Sequence, residues 1–429
     1  MKRIPRMTAA ALMLALLLSL AGCGGADGKT HLTFQIWDVA QRDGMQAMCD
    51  AYTAQHPDVE IEVQVTSWGE YWTKLEAAGE SNTMPDIFWM HTDQILYYAD
   101  FGILADLTDL YADEDPSYYQ NHFSDISVGN ASGTDGRVYG IPKDKDNVVL
   151  VYNKEMFDAA GVAYPDENWT WDDMMEASRK IYDATGKYGY MAYNDEQLGY
   201  WNFVYQNGGY ILDPETNLHA GYTQSATADA IEYYVNIQKN DWCPNQNYFA
   251  ETSPGTSFFS EMGCMFFEGS WNLLNELKNF PEMVGKWDIA PLPKCPNPAS
   301  GDGYGTISNG LCYSTAAKGR NLEIVKDVLR FFGSEEGQRI QGESGAAIPA
   351  YLGQEESWST VFNTFDYVID VQVCYDQFDH AVQYINNASR RKWKSNAADE
   401  MVKVYAGSQD IQTGLANMQA LADAYDTTN

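Results

Sequence analysis

The residues able to do chemistry in this chain are scattered rather than gathered into a reaction centre. Six histidines (His31, His56, His91, His122, His219 and His380) are dispersed, with no pair at metal-ligand spacing. GxSxG, HExxH, GxxxxGK and GxGxxG do not occur in the sequence. The signatures of a nucleophile elbow, a zinc hydrolase, a phosphate loop and a dinucleotide site are therefore missing. Asp144-Lys145-Asp146-Asn147 opens like a calcium loop, but the turn glycine and terminal glutamate do not follow. With 60 acidic residues, some carboxylate pair could always be nominated as a glycosidase acid and nucleophile, so abundance identifies none. These patterns predict a binding protein with no catalytic residue, cofactor or metal. The rival class is a secreted carbohydrate-active enzyme, which turnover of an oligosaccharide would reveal.

The aromatic residues point further. The sequence holds 12 Trp, 29 Tyr and 17 Phe; a core needs aromatics too, but aromatic faces also suit the apolar faces of pyranose rings while nearby polar groups bond the hydroxyls. Position sharpens the reading, because parallel α/β sheets bind ligands off the carboxyl ends of their strands. Trp37-Asp38 ends one predicted strand, Trp89-Met90-His91 ends another, and Gly269-Ser270-Trp271 lies between a strand and a helix. Trp271 is expected to contact ligand. Trp89, which can point inward from its strand, is expected to be core.

Those positions depend on the elements around them. Leu32-Thr33-Phe34-Gln35-Ile36-Trp37 alternates as a half-buried strand should, and Asp58 to Val65 alternates again. Between them Met45, Met48, Cys49 and Tyr52 recur at helical spacing, giving the strand–helix–strand order of a parallel sheet. A helix is predicted over 68–80 and a strand over 86–90. Val148-Val149-Leu150-Val151-Tyr152 reads as a strand buried on both faces. Asn153 is placed to cap the next helix, which stops at Gly161, and Thr170 with Asp173 forms a capping box. Ser270 and Asn321 are expected to cap later helices. The proline-rich stretch 290–298 reads as a linker, and residues from about 355 onward read mainly as helix.

Lys2, Arg3 and Arg6 precede an apolar run from Ala9 to Leu20, the pattern of a signal peptide over residues 1–22. Leu20-Ala21-Gly22-Cys23 resembles the bacterial lipobox, which implies a lipid on Cys23; residues 23–29 then form a flexible tether. A chain of 429 residues exceeds what one core usually serves, so two lobes are expected. The net charge of −33 repels phosphate backbones, which argues against nucleic acid and favours a neutral or cationic ligand. The six cysteines beyond Cys23 lack CxxC spacing and read as buried apolar residues.

Several segments resemble the family 1 extracellular solute-binding proteins of ABC importers. They are Phe34-Gln35-Ile36-Trp37-Asp38, Gln55-His56-Pro57-Asp58-Val59, Met84-Pro85-Asp86-Ile87 and Gly140-Ile141-Pro142-Lys143-Asp144. Further along come Val151 to Phe157, Thr170-Trp171-Asp172, Glu268-Gly269-Ser270-Trp271 and Ala290-Pro291-Leu292-Pro293. Each is short; their order and spacing carry the likeness. The resemblance implies an α/β, two-lobed periplasmic-binding-protein-like fold with a hinge cleft and three crossings, placed near Lys143, Pro291 and Gly342. One lobe would combine 30–143 with 292–341, and the other 144–291 with 342–429. It implies a monomer on the outer face of the cell membrane that passes a mono- or oligosaccharide to a permease, or, alternatively, binds a polyol, polyamine or peptide. Carried over by position, Asp38, Trp68, Tyr71, Asp86, His91, Asp144, Trp271 and Asn309 are candidate cleft residues, with Trp201 and Trp358 as further aromatic candidates. Lys145 departs from the family, standing where similar sequences often have an aromatic residue. The cysteines are also unusual for it.

Overall fold

A computed structural model describes residues 28–365 and 369–426; the expected signal peptide and Cys23 lie outside them. Eleven described strands follow in chain order: β1 (Thr30–Ile36), β2 (Val59–Val65), β3 (Ile87–His91), β4 (Ile141–Pro142), β5 (Val148–Asn153), β6 (Tyr188–Tyr190), β7 (Gly263–Gly269), β8 (Trp287–Ala290), β9 (Thr306–Ser308), β10 (Leu311–Ser314) and β11 (Ala381–Gln383). They form sheets ordered β2-β1-β3-β10-β4 and β6-β7-β5-β8, with a small third sheet pairing β9 and β11.

In the first sheet β1 runs parallel to β2 and β3, while β10 returns antiparallel between β3 and β4. The alternation of β1 buries Leu32, Phe34 and Ile36 against Met45, Met48, Cys49 and Tyr52 of helix Arg42–Gln55. Tyr52 Oη also donates to Asp327 at 2.7 Å, tying that helix to helix Leu322–Phe332. In the second sheet β5 is central and antiparallel to both neighbours. Val148, Leu150 and Tyr152 enter one core and Val149 and Val151 the core on the opposite face, which is why this strand is apolar at every turn of its pleat. Asn153 accepts from the Met156 N–H, Gly161 closes the helix in the left-handed region, and Thr170 and Asp173 make the full capping box.

Three segments run side by side between the lobes. Residues 143–147 form the middle one: Lys143 N donates to Leu311 O at 2.8 Å, and Lys145 N donates to Ile348 O at 3.1 Å. The second crossing lies at residues 309–310, not at Pro291, because Leu292, Cys295 and Ile307 pack into the core of the second lobe. The prolines do mark a linker, but the chain after them stays with that lobe until β9 is complete. The third lies around residues 346–351 rather than at Gly342. There Ala346, Ala350 and Tyr351 join the first core, whereas Ile348 joins the second. Gly310 has a φ of +68°, and a Cβ there would sit 2.5 Å from Asp144 O; this close approach of two crossings requires glycine.

Two expected caps are absent. Asn321 donates to Asp86 at 3.4 Å instead of capping. Ser270 is buried, and its Oγ accepts from Asn147 N at 3.3 Å. Residues Ser270–Asn272 therefore form a 3-10 turn before helix Leu273–Asn279, and β7 is pinned to the hinge. The six cysteines from Cys49 to Cys374 are buried and unpaired, filling apolar space. Among the described residues no helix is long and apolar enough to cross a membrane.

Candidate functional site

A cavity of about 400 Å³ opens between the lobes at the hinge. Each wall comes from the end of an element. The carboxyl end of β1 supplies Trp37 and Asp38, that of β3 supplies His91, and helix Trp68–Ser81 begins with Trp68. The carboxyl end of β7 supplies Trp271 and Asn272 from the facing lobe. The crossings add Asp144, Asp146 and Asn309, the start of β10 adds Leu311, and Gln41 and Gln197 complete the lining. Asp38, Trp68, His91, Asp144, Trp271 and Asn309 of the sequence candidates thus share one cleft.

The first-lobe wall is an aromatic block. Trp37 packs edge-on against Trp68, Tyr71 and Trp89 at ring distances of 5.1, 5.0 and 5.0 Å, and Trp72 lies 5.6 Å from Trp68. Trp68 stays 48% exposed, so this block leaves it as the ring facing the opening. Opposite, the half-buried Trp271 folds back over Gly269: a Cβ on Gly269 would lie 2.3 Å from the indole carbons.

The polar floor is tied together by charge. Asp38 accepts from Ala40 N at 2.8 Å and from Gln41 Nε2 at 3.0 Å. Lys143 Nζ donates to Gln41 Oε1 at 2.9 Å and to Asp144, with the ammonium 4.6 Å above the fully buried Trp89 ring. Asp144 Oδ1 accepts from Leu311 N and Asp146 Oδ1 from Asn309 N, both at 2.6 Å. In the segment that began like a calcium loop, these two carboxylates therefore clamp neighbouring backbone. Burial, aided by Asp144, pushes the Asp146 carboxyl up to about 7. His91 Nδ1 accepts from Asp93 N at 3.1 Å, and its Nε2 lies 2.7 Å from Asn309 Nδ2. Burial lowers the imidazole to about 4, so the ring is neutral at physiological pH. Lys145 does not line the cavity; it pairs with Glu355 at 2.6 Å and lies over the Phe378 ring.

Residues 38–339 match the family model of the bacterial extracellular solute-binding proteins. The chain belongs to that family. Its members are binding proteins that serve importers outside the cytoplasm. This solute-binding protein is 26% identical over 357 residues to the arabinooligosaccharide-binding protein of Bacillus subtilis, covering 78% of each chain. It is 24% identical over 367 residues to the galactooligosaccharide-binding protein of the same organism, covering 82% of each. In fold it is similar to the substrate-binding protein Lmo0181 of Listeria monocytogenes, solved with cycloalternan, at a TM-score of 0.80 and 21% identity over 92% of this chain and 98% of that one.

Four sequence candidates of the binding protein lie elsewhere. Tyr71 is buried, and its hydroxyl donates to Trp89 O at 2.8 Å and Gln35 O at 3.3 Å, bridging β1 and β3 where they diverge. Asp86 sits just before β3, at the end away from the cleft, where it accepts from the N–H and hydroxyl of Thr33. Trp201 is fully buried beneath Arg390, 4.7 Å from the ring. Trp358 is buried in the second lobe 4.6 Å from Phe362. Conversely, Trp37, Gln41, Asp146, Gln197, Asn272 and Leu311 line the cavity and were not among the candidates. Asp146 carries a signal, standing two residues from Asp144 in an extended crossing, where such residues share a face. Gln197 carries none, since it lies in the irregular turn Glu196–Tyr200.

Next to His91 the lobes are joined again. Arg390 bonds Asp93, and also Glu196 at 2.7 Å; Lys394 bonds Asp93 and lies 3.4 Å from Glu196. Burial opposes ionisation of Asp93, but Arg390 and Lys394 outweigh it and hold the carboxyl well below its usual range. Asp93 belongs to the first lobe and Arg390 and Lys394 to helix Arg390–Tyr405 of the second.

Proposed function

We propose that this protein captures a mono- or oligosaccharide outside the cell and delivers it to the permease of an ABC importer, without catalysing its turnover. The observation that carries the reading is a hinge cleft with Trp68 on one lobe, Trp271 on the other and hydrogen-bonding carboxylates on its floor. Apolar ring faces stack on indole while hydroxyls reach the polar groups. The named ligands of the relatives support a saccharide. Removal of residues 1–22, a lipid on Cys23 and a monomeric state complete the proposal. The segment Leu20-Ala21-Gly22-Cys23 supports the anchor, which mass spectrometry of membrane-extracted protein tests directly. A thermal-shift screen against a saccharide library tests the ligand class. A ligand at 100 times its Kd adds about 2.7 kcal/mol of stability; a library that leaves the melting temperature unchanged contradicts the reading.

A further inference from the structure

The acidic side chains lining the cavity are Asp38, Asp144 and Asp146, the last partly protonated near pH 7 because of its burial; among the described residues no lysine or arginine lines it. The nearest ammonium, Lys143, is fully buried behind the wall and already holds Asp144 and Gln41. Arg390 and Lys394 are committed to Asp93 and Glu196. His91 is neutral. Neighbouring Glu268 supplies no cation either, and burial keeps it largely protonated below about pH 7. Glu268 uses one oxygen to accept from Gly269 N and from Asn272, and Asp195 lies close enough to oppose its ionisation.

The hydrogen-bond inventory is equally one-sided. Gln41 spends its amide N–H on Asp38 and its oxygen on Lys143, and Asn272 donates to Glu268. The donors on the lining are neutral: the indole N–H groups of Trp37, Trp68 and Trp271, and Gln197 Nε2, which is buried and without a partner among the described residues. The ionised carboxylates can only accept, so a ligand that reaches them must bring donors of its own. Hydroxyls and ammonium groups do so. A carboxylate, sulfate or phosphate brings only acceptors and would be desolvated beside like charge, with neutral donors and no lining cation to answer it.

We propose that the cleft selects by charge, admitting neutral or amine-bearing glycans and rejecting glycans that carry carboxylate, sulfate or phosphate groups. This rests on the saccharide reading and narrows it. It also differs from what the net charge alone would do. The global field is screened by salt within about 10 Å at 0.1 M, whereas exclusion by lining carboxylates persists.

The test is calorimetric titration of the mature protein in 0.5 M NaCl with three matched sets of two to four units. The sets are neutral arabino-, galacto-, gluco- and N-acetylglucosamine oligomers, galacturonic and glucuronic acid oligomers, and glucosamine oligomers; spermidine is a further arm. At least one neutral or glucosamine oligomer should bind, with each uronic acid oligomer more than tenfold weaker than its neutral counterpart. Asp38→Asn, with its melting temperature unchanged, should narrow that gap. A uronic acid oligomer binding within tenfold of its neutral counterpart, or a gap that vanishes in 0.5 M NaCl, overturns charge selection and leaves the saccharide reading standing. Binding of spermidine with no saccharide bound overturns the saccharide reading itself, and charge selection among glycans with it.

Discussion

Gly269 has no conformational need to be glycine. Its φ of −83° and ψ of 140° are extended backbone that any residue adopts. Its role follows from the Trp271 indole, whose Cη2 and Cζ2 lie 2.3 Å from where a Cβ would stand. Carbon atoms settle at about 3.5–4.0 Å, so Gly269→Ala pushes the ring by about 1 Å or more, out of its place on the cleft wall. Truncating a buried aromatic anchor typically costs about 2–4 kcal/mol of binding, or roughly 30- to 700-fold at about 1.4 kcal/mol per decade. Trp271→Ala should fall in that range and Gly269→Ala between about tenfold and the same limit. Because both act through one indole, the double variant should bind no more weakly than Trp271→Ala alone. Calorimetric titration of the four proteins with the tightest-binding saccharide measures this cycle, and melting curves without ligand should move little. Wild-type affinity in Gly269→Ala, or additive losses in the double variant, would refute the reasoning.

Three further outcomes are expected. Burial pushes the Glu268 carboxyl up to about 7, so the folded protein holds a proton there that the unfolded chain releases at lower pH. Stability therefore falls as pH rises from the ordinary glutamate range to about 7, and Glu268→Gln should gain up to about 3 kcal/mol at pH 8, at about 1.4 kcal/mol for each pH unit, and nothing at pH 4; melting curves across pH that match wild type at pH 8 count against it. Asp93→Ala leaves Arg390 and Lys394 with Glu196 as their one carboxylate, beside the Tyr384 hydroxyl, and should destabilise by about 3–5 kcal/mol, as loss of one partner in a buried pair does, measured by urea unfolding; a change below about 1 kcal/mol would show the cluster to be solvated. Small-angle scattering should show a smaller radius of gyration with saturating saccharide, since ligand favours the closed form only through contacts made there; an unchanged radius contradicts hinge closure.

The supporting elements were legible because their periodicities are simple. The alternation of β1, the unbroken apolar run of β5 and the Thr170–Asp173 capping box each have one local solution. The cleft was legible where a strand ends in the sequence, as at Asp38, His91 and Trp271. Residue type misled where tertiary packing decides: Trp201 and Trp358 have the same side chain as Trp271 but are enclosed by Arg390 and by Phe362. Asp86 belongs to the right strand but stands at its wrong end. The second crossing was displaced because prolines announce irregular backbone without saying which lobe the chain then follows. Ser270 looked like a cap because only the fold brings Asn147 beside it.

The central claim is that one saccharide binds between Trp68 and Trp271. Its most direct measurement is titration of the tightest-binding saccharide into wild type, Trp68→Ala, Trp271→Ala and, as a control outside the cleft, Phe101→Ala, an exposed first-lobe residue. The account predicts one site per wild-type chain, affinity lowered at least tenfold by each tryptophan variant and unchanged by the control. Wild-type affinity in both tryptophan variants would place the ligand elsewhere and contradict it.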